Sequence, residues 1–433
     1  MRRNIFLLSS LSLFPAAAFA QATYSKEVSR VFQAKCQICH REGDVAPFVL
    51  DSYDSAVTWA DDIRRMVASK QMPPWKPVPG HGEFRDSWAL SDADRQMVLD
   101  WIDAGMPPGD PADLPEPLAA GGEWPAGAPD AVLQMKQAYD VPRVKDKYRC
   151  FVIPTGFTED KWINAVQIMP GNRQIVHHVI IYLDSSGKAD QLDGKDGAPG
   201  YDCFGGPGDG VAENLGDQLA GWAPGVRTTF LPENIGLLVK KNHKLVVQVH
   251  YYPGGRPGPD QTRFGLHFSK TVPRDQLIYF PLVDQKLKVA AGDANGKAGT
   301  SFQIPALADL KVHIVTPHMH LIGREISLDA VNRDKSVTPM IYINDWDFNW
   351  QNFYGYKEPL PLAAGTTVQL SCKYDNSESN PKNPNQPLKE VRWGEGTEDE
   401  MCVGFLGVTF DNPFVLRFLK LPNRLGQPVT MQQ

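Results

Sequence analysis

Lys244-Leu245-Val246-Val247-Gln248-Val249-His250-Tyr251-Tyr252 is a dense run of β-branched and aromatic residues that closes on a histidine. Such a run reads as a strand, because branched and aromatic side chains pack well on a pleated surface. The same texture recurs at Ile175 to Leu183, Lys311 to Val315, Thr367 to Tyr374 and Cys402 to Phe410, each bounded by turn residues. Thirty-seven glycines and 36 prolines suit many short strands joined by turns, so the bulk of the chain is expected to be β. No repeat of fixed period is present. A length of 433 residues implies several cores, and 42% hydrophobic residues exclude a disordered or fibrous chain. Forty-four basic residues against 50 acidic ones give a net charge of −6. The basic residues are scattered, so no cationic footprint for nucleic acid or acidic lipid exists.

The amino terminus reads as an address. Arg2 and Arg3 precede an apolar run from Ile5 to Leu13, and Ala18-Phe19-Ala20 supplies a small-x-small cleavage pattern before Gln21. Residues 1–20 are therefore expected to be a signal peptide cleaved after Ala20, and the mature protein periplasmic or secreted. The run is too short to span a bilayer, and no later stretch reaches about 20 apolar residues.

Six cysteines in an exported chain divide into two kinds. Cys36-Gln37-Ile38-Cys39-His40 has the C-x-x-C-H pattern in which two thiols add to haem vinyl groups and the histidine coordinates iron. Cys150, Cys203, Cys372 and Cys402 can pair in three ways, and nearness in sequence favours Cys150 with Cys203 and Cys372 with Cys402. Around the haem motif, Tyr24 to Ala34, Ser52 to Ser69 and Leu90 to Ala104 have helical periodicity, which is a cytochrome c plan. A sixth, thioether ligand is expected from Met72, in Gln71-Met72-Pro73-Pro74-Trp75, or from Met106. The stretch Cys36 to Pro108 resembles the short cytochrome c domains of bacterial exported proteins through C-x-x-C-H, Ala46-Pro47-Phe48 and Met-Pro-Pro-Trp. That resemblance favours Met72. Gly109 to Pro129, rich in Pro, Gly and Ala, reads as a linker.

Five of the ten histidines fall in three tight groups beyond the linker: His177-His178, His250 and His318-Met319-His320. Residues i and i+2 of a strand face one side, so His318 and His320 can present two imidazoles to one metal. Adjacent strand residues point to opposite faces, so His177 and His178 share a metal only where the strand bends or ends. His81, His243, His267 and His313 are read as ordinary core or surface residues.

Residues from about 150 to 415 resemble the copper catalytic core of the peptidylglycine alpha-hydroxylating and dopamine beta-monooxygenase family. The carrying motifs are His177-His178, Gln248-Val249-His250-Tyr251, His318-Met319-His320-Leu321 with Gly323-Arg324, and Asp399-Glu400-Met401-Cys402, in the family's order; Gly221-Trp222-Ala223-Pro224-Gly225 also resembles a family loop. The resemblance implies one copper on His177, His178 and His250 and a second on His318, His320 and Met401, the latter three catalytic. A thioether is a soft ligand that favours Cu(I), which marks the second site for O2 and the all-histidine site for electron storage. Zinc would leave Met401 without purpose.

The implied fold is multidomain: a small all-α cytochrome c domain over 21–110, a linker over 111–130, and two all-β antiparallel jelly-roll-like sandwich domains over 131–285 and 286–433. The implied activity is hydroxylation of a C–H bond of a small organic substrate with O2. The haem, reduced by an external donor, feeds the all-histidine copper. The alternative is a non-enzymatic periplasmic electron-transfer or copper-holding protein. The residues that hold a peptide carboxylate in the peptide-hydroxylating branch are replaced here by Thr316, Val403 and Phe405, so a C-terminal glycine peptide is not the expected substrate. The aromatic run Asp345 to Trp350 is read as a packed sheet edge rather than a pocket wall.

Overall fold

The computed structural model describes residues 21–433 apart from 43, 45, 119–122, 145, 214–215, 253–256, 307, 413, 416–418, 421–429 and 432–433. The expected export signal, residues 1–20, lies outside the described residues. The chain divides into two compact units, residues 1–73 with 88–118, and residues 74–87 with 119–433.

In the first unit, helical periodicity yields only short pieces. Tyr24–Val28 winds as one π turn before α1 (Ser29–Lys35). The second expected helix breaks at Trp59, whose φ of −103° and ψ of 14° leave the helical region, into α2 (Tyr53–Thr58) and α3 (Ala60–Ala68). The third, α4 (Asp92–Asp103), opens with the Ser91 hydroxyl accepting from the Asp94 N–H, which satisfies one orphan donor of the first turn. Tyr24, Phe32 and Trp101 meet edge-on or tilted at 6.1 to 6.4 Å and fill the core between these pieces.

In the second unit, β1 (Lys147–Pro154), β2 (Val176–Asp184) and β3 (Lys244–Tyr251) form the centre of a five-stranded antiparallel sheet, with Tyr201–Asp202 and Gln218–Trp222 at its edges. A second five-stranded sheet, containing Lys161–Met169 and Arg263–Phe268, shares one core with it through residues such as Ile163, Val179, Val247 and Phe264. Farther along, β4 (Leu310–His318) lies between Tyr354–Leu362 and β6 (Val403–Phe410) in a four-stranded sheet; β5 (Gly323–Val331) belongs to another. Leu328, Ile326, Val312 and Val408 from these two sheets fill a second core. Disulfides join Cys150 to Cys203 and Cys372 to Cys402, the pairs that nearness favours.

The expected fold class is not the one adopted. The molecule is mostly strand, with five short α-helices of 5 to 12 residues among the described residues. It resolves into two units rather than a separate all-α cytochrome c domain followed by two jelly rolls. The physical cause is visible at 74–87. This proline-rich stretch cannot continue a helix, and it pairs instead with strands of the β unit at Pro77–Ile343 and Phe84–Tyr356. Phe84 is buried there at 5.4 Å from the ring of Tyr354 and 5.1 Å from that of Tyr356. Phe84→Ala is expected to lower the unfolding free energy of the β unit by about 3 kcal/mol in denaturant titration. A loss under about 1 kcal/mol would place the segment outside that core.

Candidate metal centres

Strand geometry explains how two adjacent histidines reach one point. β2 pairs with β3 so that His178 stands opposite His250, and the register slips between Val176 and His178. Such an irregularity turns successive side chains away from strict alternation. His177, His178 and His250 then offer ring nitrogens that all lie within 4.8 Å of one another. The His177 and His178 Nδ1 atoms are 3.3 Å apart. His250 donates from Nε2 to Asp146 Oδ1 at 2.8 Å, which fixes its tautomer. Its Nδ1 is buried with no hydrogen-bond partner among the described residues. An orphaned lone pair facing two other imidazole nitrogens fits a cation.

The second group sits at the end of β4 and in the turn after it. His318, opposite Val403 of β6, has Nδ1 2.5 Å from Gln351 Oε1. His320 Nδ1 is 3.1 Å from the Asp399 carbonyl oxygen. Both rings are held at Nδ1, leaving Nε2 to a metal. Met401 is buried and lines, with His318 and His320, an open cleft of about 810 Å³. His178 and Tyr148 line the same cleft.

Loop residues fix these side chains. The fully buried Glu400 carboxylate accepts from the backbone N–H groups of His320 at 2.9 Å, Ile322 at 2.8 Å and Met401 at 3.1 Å. Burial pushes its carboxyl up to about 8, against the pull of those bonds. Tyr374 donates its hydroxyl to the Met401 carbonyl, and the next residue, Cys402, is tied to Cys372.

Burial also governs the imidazoles. It holds His177 down to about 3 and His318 down to about 4, and it holds His178 and His320 well below the ordinary histidine value. His250 is lowered by burial despite the opposing bond to Asp146. Burial alone would raise Asp146, but the bonds from His250 and Thr397 prevail and hold it low. All five rings are thus neutral near pH 7, the form that binds metal.

Several of the residues that shape the two centres carry no sequence signal. Asp146, Thr397 and Gln351 are polar residues in loops, set among other polar residues that resemble them. Phe348 is the exception. Its ring stacks on His177 at 4.6 Å and meets His320 edge-on at 5.7 Å, so it stands against both groups. Trp346 donates from Nε1 to the His320 carbonyl. Of the aromatic run, Phe348 stands against both histidine groups while Trp346 is packed in the second core. His313 and His267, read as ordinary, are engaged with Thr409 and Gln167.

In the first unit, Cys36 caps α1, and the N–H groups of Cys39 and His40 both donate to the Cys36 carbonyl. That turn brings the two cysteines and the histidine of the motif together. His40 Nδ1 lies 3.0 Å from the Phe48 carbonyl oxygen, so Nε2 is the ring nitrogen that this bond leaves free to serve as a ligand atom. Met106 packs against the core around Trp101, whereas Met72 is absent from that cluster.

Residues 297–409, which include His318, His320 and Met401, match the family model of copper type II ascorbate-dependent monooxygenase, C-terminal domain. The chain is 23% identical over 304 residues to DBH-like monooxygenase protein 1 of Homo sapiens, covering 63% of this chain and 46% of that protein. It is 23% identical over 350 residues to human dopamine beta-hydroxylase, covering 75% and 51%. It is 23% identical over 295 residues to tyramine beta-hydroxylase of Caenorhabditis briggsae, covering 61% and 46%. The chain spans about half the length of these curated relatives. The domain match and these relatives make the chain similar to copper-dependent monooxygenases over part of their length.

An imidazole depressed in the folded state leaves the unfolded chain to take up protons first as pH falls below about 6.5, so its stabilisation is full above that value and lost below it. Glu400, raised in the fold, acts in the opposite sense, as do the raised Asp260, Asp329, Glu395 and Asp399, while His40, His243, His267 and His313, also lowered by burial, add to the five imidazoles. The metal-free protein is therefore expected to lose thermal stability as pH falls from about 6.5 to 5, and His318→Gln to lessen that slope. A melting temperature flat over this range contradicts the burial of neutral rings.

Proposed function

We propose that the chain is an exported copper-dependent monooxygenase that hydroxylates a C–H bond of a small organic substrate, with His177, His178 and His250 holding one copper and His318, His320 and Met401 the other. The observation that carries the reading is the convergence of three neutral imidazoles on one point, with the buried Nδ1 of His250 left unpartnered. Copper held by these side chains would supply single-electron transfer at the all-histidine group and activation of O2 beside the thioether. The two disulfides suit an oxidising compartment, and among the described residues no helix is long and apolar enough to cross a membrane.

The chain's own residues divide the remaining labour. Asp146 orients His250, while Gln351 and the Asp399 carbonyl orient His318 and His320. Glu400 holds the backbone on both sides of the second group. Thr316, Val403 and Phe405 line the cleft beside Met401. They offer one hydroxyl, buried and without a hydrogen-bond partner, and two apolar surfaces. None carries a positive charge. The substrate is therefore one whose reacting end is apolar, not a peptide bearing a C-terminal carboxylate.

Cys36 and Cys39 would attach haem c, and His40 and Met72 would hold its iron. The preference for Met72 rests on the Met-Pro-Pro-Trp resemblance, and Met106 packs against the core around Trp101. Haem held by these residues would supply single electrons to the all-histidine copper from an external donor.

Three experiments test the reading. Metal analysis of the mature protein is expected to find one haem iron and about two coppers per chain; Met401→Ile should abolish substrate-dependent O2 consumption and weaken Cu(I) at the second site. Substrate-independent behaviour in every assay, with both coppers present, would favour a copper-holding carrier. In anaerobic stopped flow, rapid reduction of the haem should be followed by loss of the Cu(II) signal. Coppers that stay oxidised beside a reduced haem would exclude it as donor.

A further inference from the structure

The segment Glu395 to Met401 runs from the neighbours of one histidine group to the ligands of the other. At its start, the Glu395 carbonyl accepts from the Tyr148 hydroxyl at 2.7 Å, and the Tyr148 ring stacks on His250 at 4.1 Å, nearly parallel at 8°. Two residues on, the Thr397 hydroxyl donates to Asp146 Oδ1 at 2.7 Å. That is the same oxygen that accepts from His250 Nε2. At its end, the Asp399 carbonyl bonds His320 Nδ1, and Glu400 and Met401 complete the second group. Inside the segment, the Gly396 N–H donates to Asp399 Oδ2, bracing one half against the other. Thr397 is almost wholly buried, so its hydroxyl has no water to fall back on if Asp146 moves.

We propose that this segment is a strap that couples the two centres, with Thr397 a positioning residue through which filling of the His177, His178 and His250 group sets the placement of His320 and Met401. The inference rests on the reading of both groups as metal centres. A metal ion on His250 Nδ1 pulls the ring toward His177 and His178, and the Nε2 bond carries that displacement to Asp146. Asp146 holds Thr397, and Thr397 stands four residues from the thioether. The coupling is reciprocal, since any free energy linking two binding events acts on both.

A thermodynamic cycle on the full-length, copper-free mature protein decides it. Cu(I) is titrated anaerobically against a chromophoric chelator, and copper–sulfur scattering in X-ray absorption marks occupancy of the Met401 group. Disabling the first group with His177→Ala/His178→Ala is expected to weaken Cu(I) at the Met401 group at least about fivefold, the lower end of ordinary coupling. In Thr397→Val the affinity should already be weakened, and disabling the first group should add less than about twofold. Thr397→Ser, which keeps the hydroxyl, should restore the native coupling. If Thr397→Val does not fold, Tyr148→Phe removes the other bond to the strap while keeping the stacked ring, and the same cycle applies. Effects that simply add overturn the strap while leaving two copper centres standing. Absence of any copper–sulfur signal in the unmutated protein overturns the functional reading, and the strap with it.

Discussion

A neutral imidazole buried at a sheet end must have one ring nitrogen satisfied by the protein if the other is to be offered to a ligand, and this single requirement organises the β unit. Of the five histidines, His250 meets it with Asp146, His318 with Gln351 and His320 with a backbone carbonyl. Each bond fixes a ring rotation and a tautomer together, because only the unbonded nitrogen is free to act as a donor to metal. The cost of burying so many polar rings is met by placing them at the mouths of two apolar cores. There the backbone is already held by strand pairing, and little further entropy is lost in ordering them. The strands act as supports, and the loops between them supply the polar partners.

The loop before β6 shows the same logic at greater expense. A carboxyl group stripped of its water is unfavourable to bury, and Glu400 is tolerated because backbone N–H groups replace that water while burial itself favours its neutral form. Three of those donors belong to His320, Ile322 and Met401, so the group that solves one desolvation problem also fixes the distance between a histidine turn and a methionine. Methionine has three rotatable bonds and is a poor choice for a rigid ligand unless its backbone is pinned. Here the pinning comes from Glu400 before it, the Tyr374 hydroxyl at its carbonyl and the Cys402 disulfide after it.

Much of this was readable in the chain and some was not, for identifiable reasons. Strands such as Lys244–Tyr251 and Leu310–His318 carry their own signal, since branched residues and strand periodicity are local properties. The cysteine pairs follow from nearness because Cys372 and Cys402 sit on or beside neighbouring parts of one core. The helical reading of the amino-terminal third failed as a fold class. Periodicity does not report where a helix breaks, as at Trp59, nor that Pro74 to Ser87 leaves to bury Phe84 in the β unit. Asp146, Thr397 and Gln351 were invisible for a different reason. A polar residue in a loop looks alike whether it faces water or a buried imidazole, and only the fold decides between them. In the aromatic run ending at Trp350, Trp346 packs in the core as a sheet edge would, while Phe348 stands against two histidines, a contact composition cannot foretell.

The register slip in β2 shows why the two centres need different supports. Adjacent histidines on a regular strand diverge, so His177 and His178 come together only through the irregularity between Val176 and His178. Three donors on two paired strands then form a group within one sheet, with few degrees of freedom left to adjust. The second group has no such economy. His318 closes a strand, His320 lies in a turn, and Met401 arrives from a loop about eighty residues later in the chain. A set assembled from three separate backbone segments depends on whatever holds those segments together. Glu400, the Tyr374 hydroxyl and the Cys372–Cys402 disulfide hold the third segment in place, which is why the composite group needs supports that the single-sheet group does not.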